Sequence, residues 1–320
     1  MNNRLISSKG PDFLCIGAQK AGTTWLYENL RRHPDVWLPP EKEIHYFDQH
    51  ERYSHADWLT SESIRDRLFG RAFSDRNWRK RLRRTLRHPV KWRLFQHPFW
   101  WAGYFFGRYD DAWYLSRFKA PKGKITGDIT PAYAILEETE IQRIKSLVPD
   151  ARIIFIVRNP VDRAWSHCKM KLRRPMTQDE IISFLEGPEQ RLRGDYPRTI
   201  ANWTRYYDET SFLVINFDDV KARPLHVLST VCRHIGIDPK HSNAVLAKKR
   251  IHKGRSLKCP GEIRSRLLSM YAEDIREMRP VLGAITDIWE QENEESRIAG
   301  NRTGSRGGNL SREQTTEEMA

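Results

Sequence analysis

The stretch "IGAQKAGTTWLYENL", residues 16–30, contains the pattern that decides the fold. Gly17 and Gly22 keep the G-x4-G spacing of a phosphate-binding loop, which joins a buried strand to a helix. The apolar run over residues 11–17 predicts that strand, and residues 23–34, which end at a proline, predict the helix. The stretch therefore predicts the first half of a βαβ unit.

The position of the lysine separates this loop from that of a nucleoside triphosphatase. In the usual pattern the lysine follows the second glycine, and the next hydroxyl holds Mg²⁺. Here Thr23 takes that position and Lys20 lies inside the loop, from where its mobile ammonium still reaches a phosphate or bridging oxygen. Loop N–H groups, the positive end of the helix and the hydroxyls of Thr23 and Thr24 add donors. The loop thus predicts an anionic nucleotide, with a weakened signal for metal.

Outward from the loop, three more apolar runs alternate with helical patterns. Residues 124–133, 151–160 and 211–220 predict strands, and the second of these is apolar without alternation, as in a strand covered on both faces. Residues 136–150 carry apolar side chains at helical spacing. Strands separated by helices predict an α/β class, with a central parallel β-sheet flanked by helices in a single domain.

An arginine and a serine follow the strongest strand. Arg158 ends that strand, and Ser166 lies two helical turns further on. Because parallel sheets bind ligands at the carboxyl ends of their strands, the two side chains are predicted to hold a second phosphate, the arginine with paired donors. The alternative is that Arg158 pairs with a carboxylate, for which Asp162 and Asp128 are candidates.

The 320 residues carry a formal net charge of +14, which favours an anionic ligand, acidic polymer or membrane surface as a partner. Most of this charge lies in residues 76–109, where ten residues are Lys or Arg and none is acidic. Trp78, Leu82 and Leu86 repeat every four residues there, which predicts a basic amphipathic helix. Three further tryptophans, Trp92, Trp100 and Trp101, lie in the same stretch.

The organisation predicted from composition is an extension over residues 1–10, a domain over 11–290 and a disordered tail over 291–320. The domain contains the basic, Trp-rich insert at about residues 60–120. Neither a signal peptide nor a spanning run is visible, and the cysteines lack CxxC spacing. We therefore predict a cytoplasmic protein with reduced thiols. Peripheral contact with the inner face of the membrane is a further expectation.

The two phosphate motifs, "GAQKAGTTWL" and "RNPVDRAWSH", resemble those of sulfotransferases that use 3′-phosphoadenylyl sulfate (PAPS). The likeness extends to "KEIHYFD", "GDITPAY", "RGDYPRTIANW", "FLVINFDDV" and "HKGRS", and so covers residues 11–290. Through "PPEKEIHYFD" it is closer to carbohydrate, heparan-type and Golgi-like enzymes and their bacterial relatives than to cytosolic phenol and steroid enzymes. The resemblance implies a P-loop-kinase-like sulfotransferase fold, an activity of EC 2.8.2 type, PAP as product and no metal.

The resemblance also implies the donor-binding residues. Lys20 acts on the phosphosulfate, Arg158 and Ser166 hold the 3′-phosphate, Tyr196 stacks beside the adenine, and residues 253–255 close on the nucleotide. The full set that it implies is Gln19, Lys20, Ala21, Gly22, Thr23, Thr24, Trp25, Arg158, Ser166, Tyr196, Lys253, Gly254 and Arg255.

Two side chains compete for the role of catalytic base. In heparan-type enzymes the base is the glutamate that matches Glu43, whereas cytosolic enzymes use a histidine, which makes His45 the rival. A short strand here would project both to the same side. The alternative without chemistry is a surface salt bridge for Glu43 and packing of His45 beside Phe47. Ile129 stands where related heparan enzymes have an acceptor-binding lysine, which predicts a different acceptor site.

The family likeness and the aromatic insert favour a hydroxyl on a saccharide or glycolipid as acceptor. The insert has three interpretations: tryptophans that stack on sugars in an acceptor cleft, a surface that lies on an anionic membrane, or a solvated basic face over a Trp-filled core. The rival functions are a P-loop kinase that uses ATP and a nucleic-acid-binding protein, although no nucleic-acid module is recognised. The sequence carries no signal for an oligomeric state.

Overall fold

The computed structural model describes residues 10–53, 59, 63–87, 96–171, 176–249 and 257–307, with backbone alone from residue 296 onward. The chain divides into two compact units. The first takes its described residues from 1–158 and 198–253, and the second from 159–197 and 254–320. All five strands lie in the first unit.

The strands form one parallel sheet in the order β2-β3-β1-β4-β5. This confirms the predicted α/β class with a central parallel β-sheet. The order changes direction between β1 and β4, because β2 and β3 lie on one side of β1 while β4 and β5 follow on the other side. The bounds are β1 (Phe13–Gly17), β2 (Val36–Trp37), β3 (Ile125–Ile129), β4 (Arg152–Val157) and β5 (Phe212–Asn216).

Burial follows position in the sheet. All residues of β1 and all but the first of β4 are buried, as expected for strands with helices on both faces. The sequence also predicts β5 as a buried strand, and here the structure differs. The first three residues of β5 are partly exposed, because this strand lies at the edge of the sheet and pairs on one side only.

Helices connect the strands in chain order. Three 3₁₀ turns, at Pro131–Ile135, Glu209–Ser211 and Pro239–His241, complete the connections. The helices are α1 (Thr23–Leu30), α2 (Ile64–Phe69), α3 (Phe73–Arg87), α4 (Pro98–Phe106), α5 (Asp111–Ser116), α6 (Glu138–Leu147), α7 (Pro160–Lys171), α8 (Gln178–Glu186), α9 (Pro188–Gly194), α10 (Tyr196–Thr204), α11 (Phe217–Ala222), α12 (Pro224–His234), α13 (Ala244–Lys248), α14 (Gly261–Glu277), α15 (Arg279–Leu282) and α16 (Ala284–Gly307).

The described part of the insert is helical, with α3 as the predicted basic helix, and two of its tryptophans face inward. Trp78 is fully buried, donates to the hydroxyl of Tyr109 at 3.0 Å and meets the rings of Phe105 and Phe106 edge-on. Trp101 is also buried. These contacts fit the interpretation of a Trp-filled core beneath a basic face. They do not fit tryptophans that stack on sugars, although Trp92 lies outside the described residues.

The second unit differs from the sequence-based prediction at its carboxyl end. The tail was predicted to be disordered from residue 291, whereas α16 continues to Gly307. Thr286 and Trp289 in the first turns of this helix are fully buried, which anchors its start in the core of the unit. Four glutamates, at 290, 292, 294 and 295, follow directly, and glutamate is a good helix former, so the helix extends past the anchor.

Two further features bear on the sequence analysis, namely the apolar character of the helices and the state of the cysteines. Within the described residues, none of the helices combines the length and apolar character needed to cross a bilayer. All four cysteines are free thiols, and three of them are buried, as predicted.

Candidate active site

The phosphate loop lies where β1 ends, at the point where the strand order changes direction. In open parallel sheets this is the position at which ligands bind. The loop begins at Gly17 and leads directly into α1, whose first turn carries no acidic side chain. The N-terminal N–H groups of α1 therefore face the loop with no carboxylate of their own turn competing for them.

The backbone of the loop explains its residues. Lys20 has φ +74° and Gly22 has φ +92°, both in the left-handed region, so the chain reverses tightly between them. A Cβ on Gly22 would lie 2.9 Å from the ring of Phe217, which excludes any larger residue. Ala21 is fully buried, while Gln19 and Lys20 are half-buried at the surface of the loop. Within the described part of the chain, Gln19 Oε1 is buried and has no hydrogen-bond partner.

Arg158 contacts the loop directly. It follows the last residue of β4, and its Nη1 donates to the carbonyl of Lys20 at 3.1 Å. Its guanidinium also stacks over the ring of Phe217, 5.0 Å from the centroid. Asp128, one of the carboxylates considered for it, accepts instead from Thr130 at 2.6 Å and from a tyrosine. The structure therefore brings the cation of the second motif to the backbone of the first.

The segment with the two candidate bases, residues 42–48, has no strand, so the strand geometry considered for Glu43 and His45 does not apply. His45 has φ +54°, a conformation that non-glycine residues rarely adopt. The neighbouring backbone N–H groups bond to side chains rather than to a strand: that of Ile44 to Thr130 at 3.1 Å, and that of Tyr46 to the Tyr133 hydroxyl at 3.1 Å. Residues after β3 thus hold the segment in place.

Alternating charges run through this segment. Glu43 Oε1 lies 2.5 Å from Lys42 Nζ, and Glu43 Oε2 lies 3.4 Å from His45 Nε2. The other ring nitrogen of His45 lies 2.7 Å from Asp48, whose side chain is fully buried. Glu43 keeps 38% of its side-chain surface exposed, whereas His45 keeps 2%. Glu43 and His45 therefore lie together, but only Glu43 has an open side toward solvent.

The contacts within this segment shift the pKa values of both Glu43 and His45. Burial opposes ionisation of Glu43, but Lys42 and His45 outweigh it and hold the pKa of this carboxyl well below its usual range. Burial also disfavours the charged form of His45, but Asp48 and then Glu43 outweigh it and raise the pKa of His45 to about 9. The raised pKa favours the protonated form of His45 at neutral pH, in which one N–H faces Asp48 and the other faces Glu43.

Lys42 contacts two parts of the candidate site and was not identified from the sequence. The Nζ of Lys42 lies 3.3 Å from Thr23 Oγ1 and 2.5 Å from Glu43 Oε1. One ammonium therefore joins the phosphate loop to residues 42–48, which we call the base segment. The signal was present in the sequence, since Lys42 precedes Glu43 directly. Its importance depends on the fold, which brings Thr23 and Lys42 together from different elements.

Asp128 and Thr130 position the base segment through a chain of hydrogen bonds. Asp128 is buried, and burial raises its pKa to about 6 despite bonds from Thr130 and Tyr114. The Thr130 hydroxyl donates to Asp128 and accepts from the N–H of Ile44. Ile129, between them, is 1% exposed. The "GDITP" segment therefore supports the base segment, and its isoleucine lies in the sheet rather than at an acceptor.

Several predicted donor-binding residues have other surroundings. Trp25 is buried and its Nε1 donates to the carbonyl of Ala247 at 2.8 Å, which ties α1 to α13. Thr24 is half-buried in the first turn of α1. Residues 253–255, with the predicted Lys253, Gly254 and Arg255, lie outside the described residues.

Ser166 and Tyr196 belong to the second unit. Ser166 is half-buried on α7. Tyr196 is buried, with its ring centroid 6.2 Å from that of Trp289. Arg163 of the same motif, not assigned from the sequence, is fully buried on α7 and donates to Gln190 Oε1 at 2.9 Å. The joint grip of Arg158 and Ser166 on one phosphate stays a prediction.

A second group of polar side chains has the composition of a metal site. Atoms of His33, Asp35 and His241 lie within 4.8 Å of one another. However, both ring nitrogens of His33 face backbone groups, the N–H of Asp35 at 3.3 Å and the carbonyl of Asp238 at 3.0 Å. These hydrogen bonds account for the arrangement, and we assign no metal to it.

Comparison with known proteins shows which family the sequence matches. A family model described as "Sulfotransferase family" matches residues 11–241. Heparan sulfate glucosamine 3-O-sulfotransferase 6 of Mus musculus is 24% identical over 238 residues, which cover 71% of this chain and 52% of that protein. Bifunctional heparan sulfate N-deacetylase/N-sulfotransferase 1 of Xenopus tropicalis is 24% identical over 246 residues, which cover 71% of this chain and 22% of the relative.

The chain therefore spans about half the length of the first relative and about a fifth of the second. Among solved structures, a sulfotransferase from Alicyclobacillus acidocaldarius matches with a TM-score of 0.54 and 20% identity. The match covers 85% of this chain and 95% of that one. At this identity the structural likeness supports the fold alone.

Proposed function

The chain belongs to the sulfotransferase family, and from this premise we propose that it transfers a sulfuryl group from PAPS to a hydroxyl of a saccharide or glycolipid. Lys42 carries the proposal, because its ammonium contacts both the phosphate loop and Glu43. A group held in the loop would thus lie one side chain away from the base.

The residues of the loop fit the phosphosulfate of such a donor. The start of α1 offers N–H donors, and Thr23, Lys42 and Arg158 add a hydroxyl and two cations at its edge. Lys20 lies inside the loop itself. The buried Gln19 Oε1 without a partner also leaves a polar group for a ligand to satisfy. The position of Thr23, where a triphosphatase has its lysine, argues against ATP with Mg²⁺.

The proton of the acceptor hydroxyl goes to Glu43. Bound in the loop, PAPS supplies the sulfuryl group, whose bond to the phosphate oxygen breaks as the acceptor oxygen bonds to sulfur. Glu43 is ionised and partly exposed, so it accepts the proton as that bond forms. His45, held by Asp48, donates to the second carboxylate oxygen and fixes its orientation. Lys20 stabilises the negative charge that develops on the departing phosphate.

Lys42 links occupancy of the loop to the strength of the base. While it contacts Glu43, it lowers the affinity of the carboxylate for a proton. An anion beside Thr23 competes for the same ammonium, which lies 3.3 Å from that hydroxyl. When Lys42 turns toward the anion, the pKa of Glu43 rises and the carboxylate becomes a stronger base. Glu43 is then activated only when the donor is in place.

The choice of acceptor rests on the relatives, whose names assign them to heparan sulfate. The buried Trp78 and Trp101 give the sugar-stacking interpretation of the insert no support. We therefore place the acceptor beside the open side of Glu43.

A nucleotide-binding measurement tests the donor. We expect PAP to raise the melting temperature without added metal, by an amount that grows with its concentration. ATP with Mg²⁺ and a single-stranded oligonucleotide should each have little effect. Stabilisation by ATP that needs Mg²⁺ would instead support a kinase, and stabilisation by the oligonucleotide would support a nucleic-acid binder. Incubation with ³⁵S-labelled PAPS and a desulfated heparan-type polysaccharide then tests transfer.

Lys20→Ala tests the loop. We expect transfer from labelled PAPS to fall by about 10²–10³-fold, since one lost charge-stabilising donor typically costs this much. Circular dichroism and the melting temperature should stay near wild type, because Lys20 is half-buried at the surface. Lys122→Ala removes an exposed lysine outside the site and serves as the matched control. Near-normal turnover of Lys20→Ala would refute its role.

A further inference from the structure

The outer side of α3 is a basic stripe that the proposed reaction does not use. Seven of the fifteen residues of α3 are Lys or Arg, and its carboxylate, Asp75, is buried. Seven positions of α3 are exposed, and all of them except Leu86 recur at a spacing that places them on one side of the helix. This stripe consists of Phe73, Arg76, Lys80, Arg83, Arg84 and Arg87.

Within the part of the chain that the structure describes, most cations of the stripe lack a partner of opposite charge. Among the described residues, no carboxylate forms an ion pair with Arg76, Lys80, Arg83 or Arg87. Arg84 lies near enough to Glu41 to act on its titration. Like charges that lie along one helix face repel one another, so the stripe is satisfied best by an anionic surface outside the protein.

Two phenylalanines lie at the amino-terminal end of the stripe. Phe73 is 60% exposed and belongs to the stripe, and Phe69, at the end of α2, is 78% exposed. Arg79 donates to the carbonyls of Arg67 at 2.9 Å and Gly70 at 2.8 Å, which holds the end of α2 alongside α3. Both aromatic side chains therefore stand beside the cations at a fixed position.

The exposed aromatic surface is concentrated in this part of the molecule. Among the described residues, every phenylalanine with a largely exposed side chain lies in the insert, namely Phe69, Phe73, Phe99 and Phe106. The insert also has a packed aromatic core around Trp78. The four phenylalanines lie outside this core although an apolar interior is available nearby. Exposed rings beside a basic face are the composition of a helix that lies on a membrane.

We propose that α3 docks on an anionic lipid bilayer, with the stripe against the headgroups and Phe69 and Phe73 inserted among the acyl chains. The cations supply long-range attraction to the negative surface, and the rings add apolar burial once contact is made. An acidic polysaccharide would satisfy the charges equally but would leave both rings in water. The rings are therefore the observation that favours lipid over a soluble polyanion.

Flotation of the full chain with vesicles tests the docking. We expect the protein to float with vesicles of phosphatidylcholine and phosphatidylglycerol, but not with phosphatidylcholine alone. High salt should release it, because the attraction is screened within about 3 Å at 1 M ionic strength. Failure to float with the anionic vesicles at low salt would overturn the proposal.

A charge variant and a matched control locate the surface. The variant Arg76→Gln, Lys80→Gln, Arg83→Gln and Arg87→Gln should lower vesicle partitioning by about 600-fold, since each of the four cations near an anionic surface contributes roughly fivefold. The control Lys122→Gln, Lys124→Gln, Lys240→Gln and Arg276→Gln removes four exposed cations elsewhere and should partition as wild type does. Equal partitioning of the variant and the wild type would overturn the assignment to α3.

An apolar variant separates lipid from polyanion. Phe69→Ser with Phe73→Ser should reduce flotation at least tenfold while it elutes from a heparin column at the wild-type salt concentration. If instead both flotation and heparin elution are unchanged in this variant, the stripe is a polyanion site and the proposal fails. Melting temperatures and the response to PAP should match wild type in all variants, which excludes misfolding as the cause.

Discussion

The base segment, residues 42–48, and the basic stripe of α3 both concentrate charge, but they hold it in opposite ways. In the base segment each charged group meets one of opposite sign, as in the Lys42–Glu43 contact of 2.5 Å and the His45–Asp48 contact of 2.7 Å. In the stripe the cations are exposed and lie beside one another. Paired charges in a buried setting fix geometry and shift pKa values, whereas exposed like charges create a field that acts at a distance and weakens with salt.

The sharpest test of the base segment is Glu43→Gln. We expect turnover to fall by about 10²–10⁴-fold, because the amide cannot accept the acceptor's proton. PAP binding, measured by calorimetry, should be retained, since the phosphate loop is unchanged. The neutral amide keeps the size of the side chain and so limits changes in packing.

His45→Ala is the comparison that decides between the two candidate bases. It should lower turnover less than Glu43→Gln, because His45 orients the carboxylate and is already protonated at neutral pH. If His45→Ala loses more activity than Glu43→Gln at every pH, the base is His45 and the roles are reversed.

In the insert, we expect a buried substitution to lower the stability much more than an exposed one. Trp78→Ala should lower the free energy of unfolding in urea by about 3–5 kcal/mol, because a fully buried indole and its bond to Tyr109 are lost. Arg83→Gln, on the exposed stripe, should change it by less than about 0.5 kcal/mol. If the two variants were equally stable, the insert would have no packed core.

The pH dependence of stability tests the pairing of His45. Its pKa is raised from 6.5 to about 9, so its protonation stabilises the folded state fully below about pH 6.5. This contribution is lost as pH rises through about 9. The free energy of unfolding of wild type relative to His45→Gln should therefore be larger at pH 6 than at pH 10, by on the order of 2 kcal/mol.

His226→Gln, which changes an exposed histidine on α12, serves as the control for this measurement. It should follow the wild-type pH profile without a change of slope. A constant difference between wild type and His45→Gln from pH 6 to 10 would mean that His45 does not titrate in this range.

The sheet and the phosphate loop were predictable because their signals are local. The unbroken apolar residues of β1 and β4 have few other ways to be buried, and the spacing of Gly17 and Gly22 reflects a backbone that needs small residues. Arg158 was predictable for the same reason, since it directly follows a strand end. Each of these inferences needed only neighbours in the chain.

The support of the base segment was not predictable in this way. Two backbone N–H groups of "KEIHYFD" donate to the side chains of Thr130 and Tyr133, which both follow β3, more than eighty residues away in the chain. The edge position of β5 and the burial of the insert tryptophans likewise depend on which elements lie beside them.

The sequence alone thus determined the parallel sheet, the phosphate loop, the cation after β4 and the family, because all of these follow from residue types at short spacing. Only the tertiary structure decided that Lys42 joins Thr23 to Glu43, that His45 lies against Asp48, and that α3 turns Trp78 inward and its charges outward. The physical reason is that charge–charge contacts and burial act through space. Both depend on distances between elements, and these distances exist only once the chain has folded.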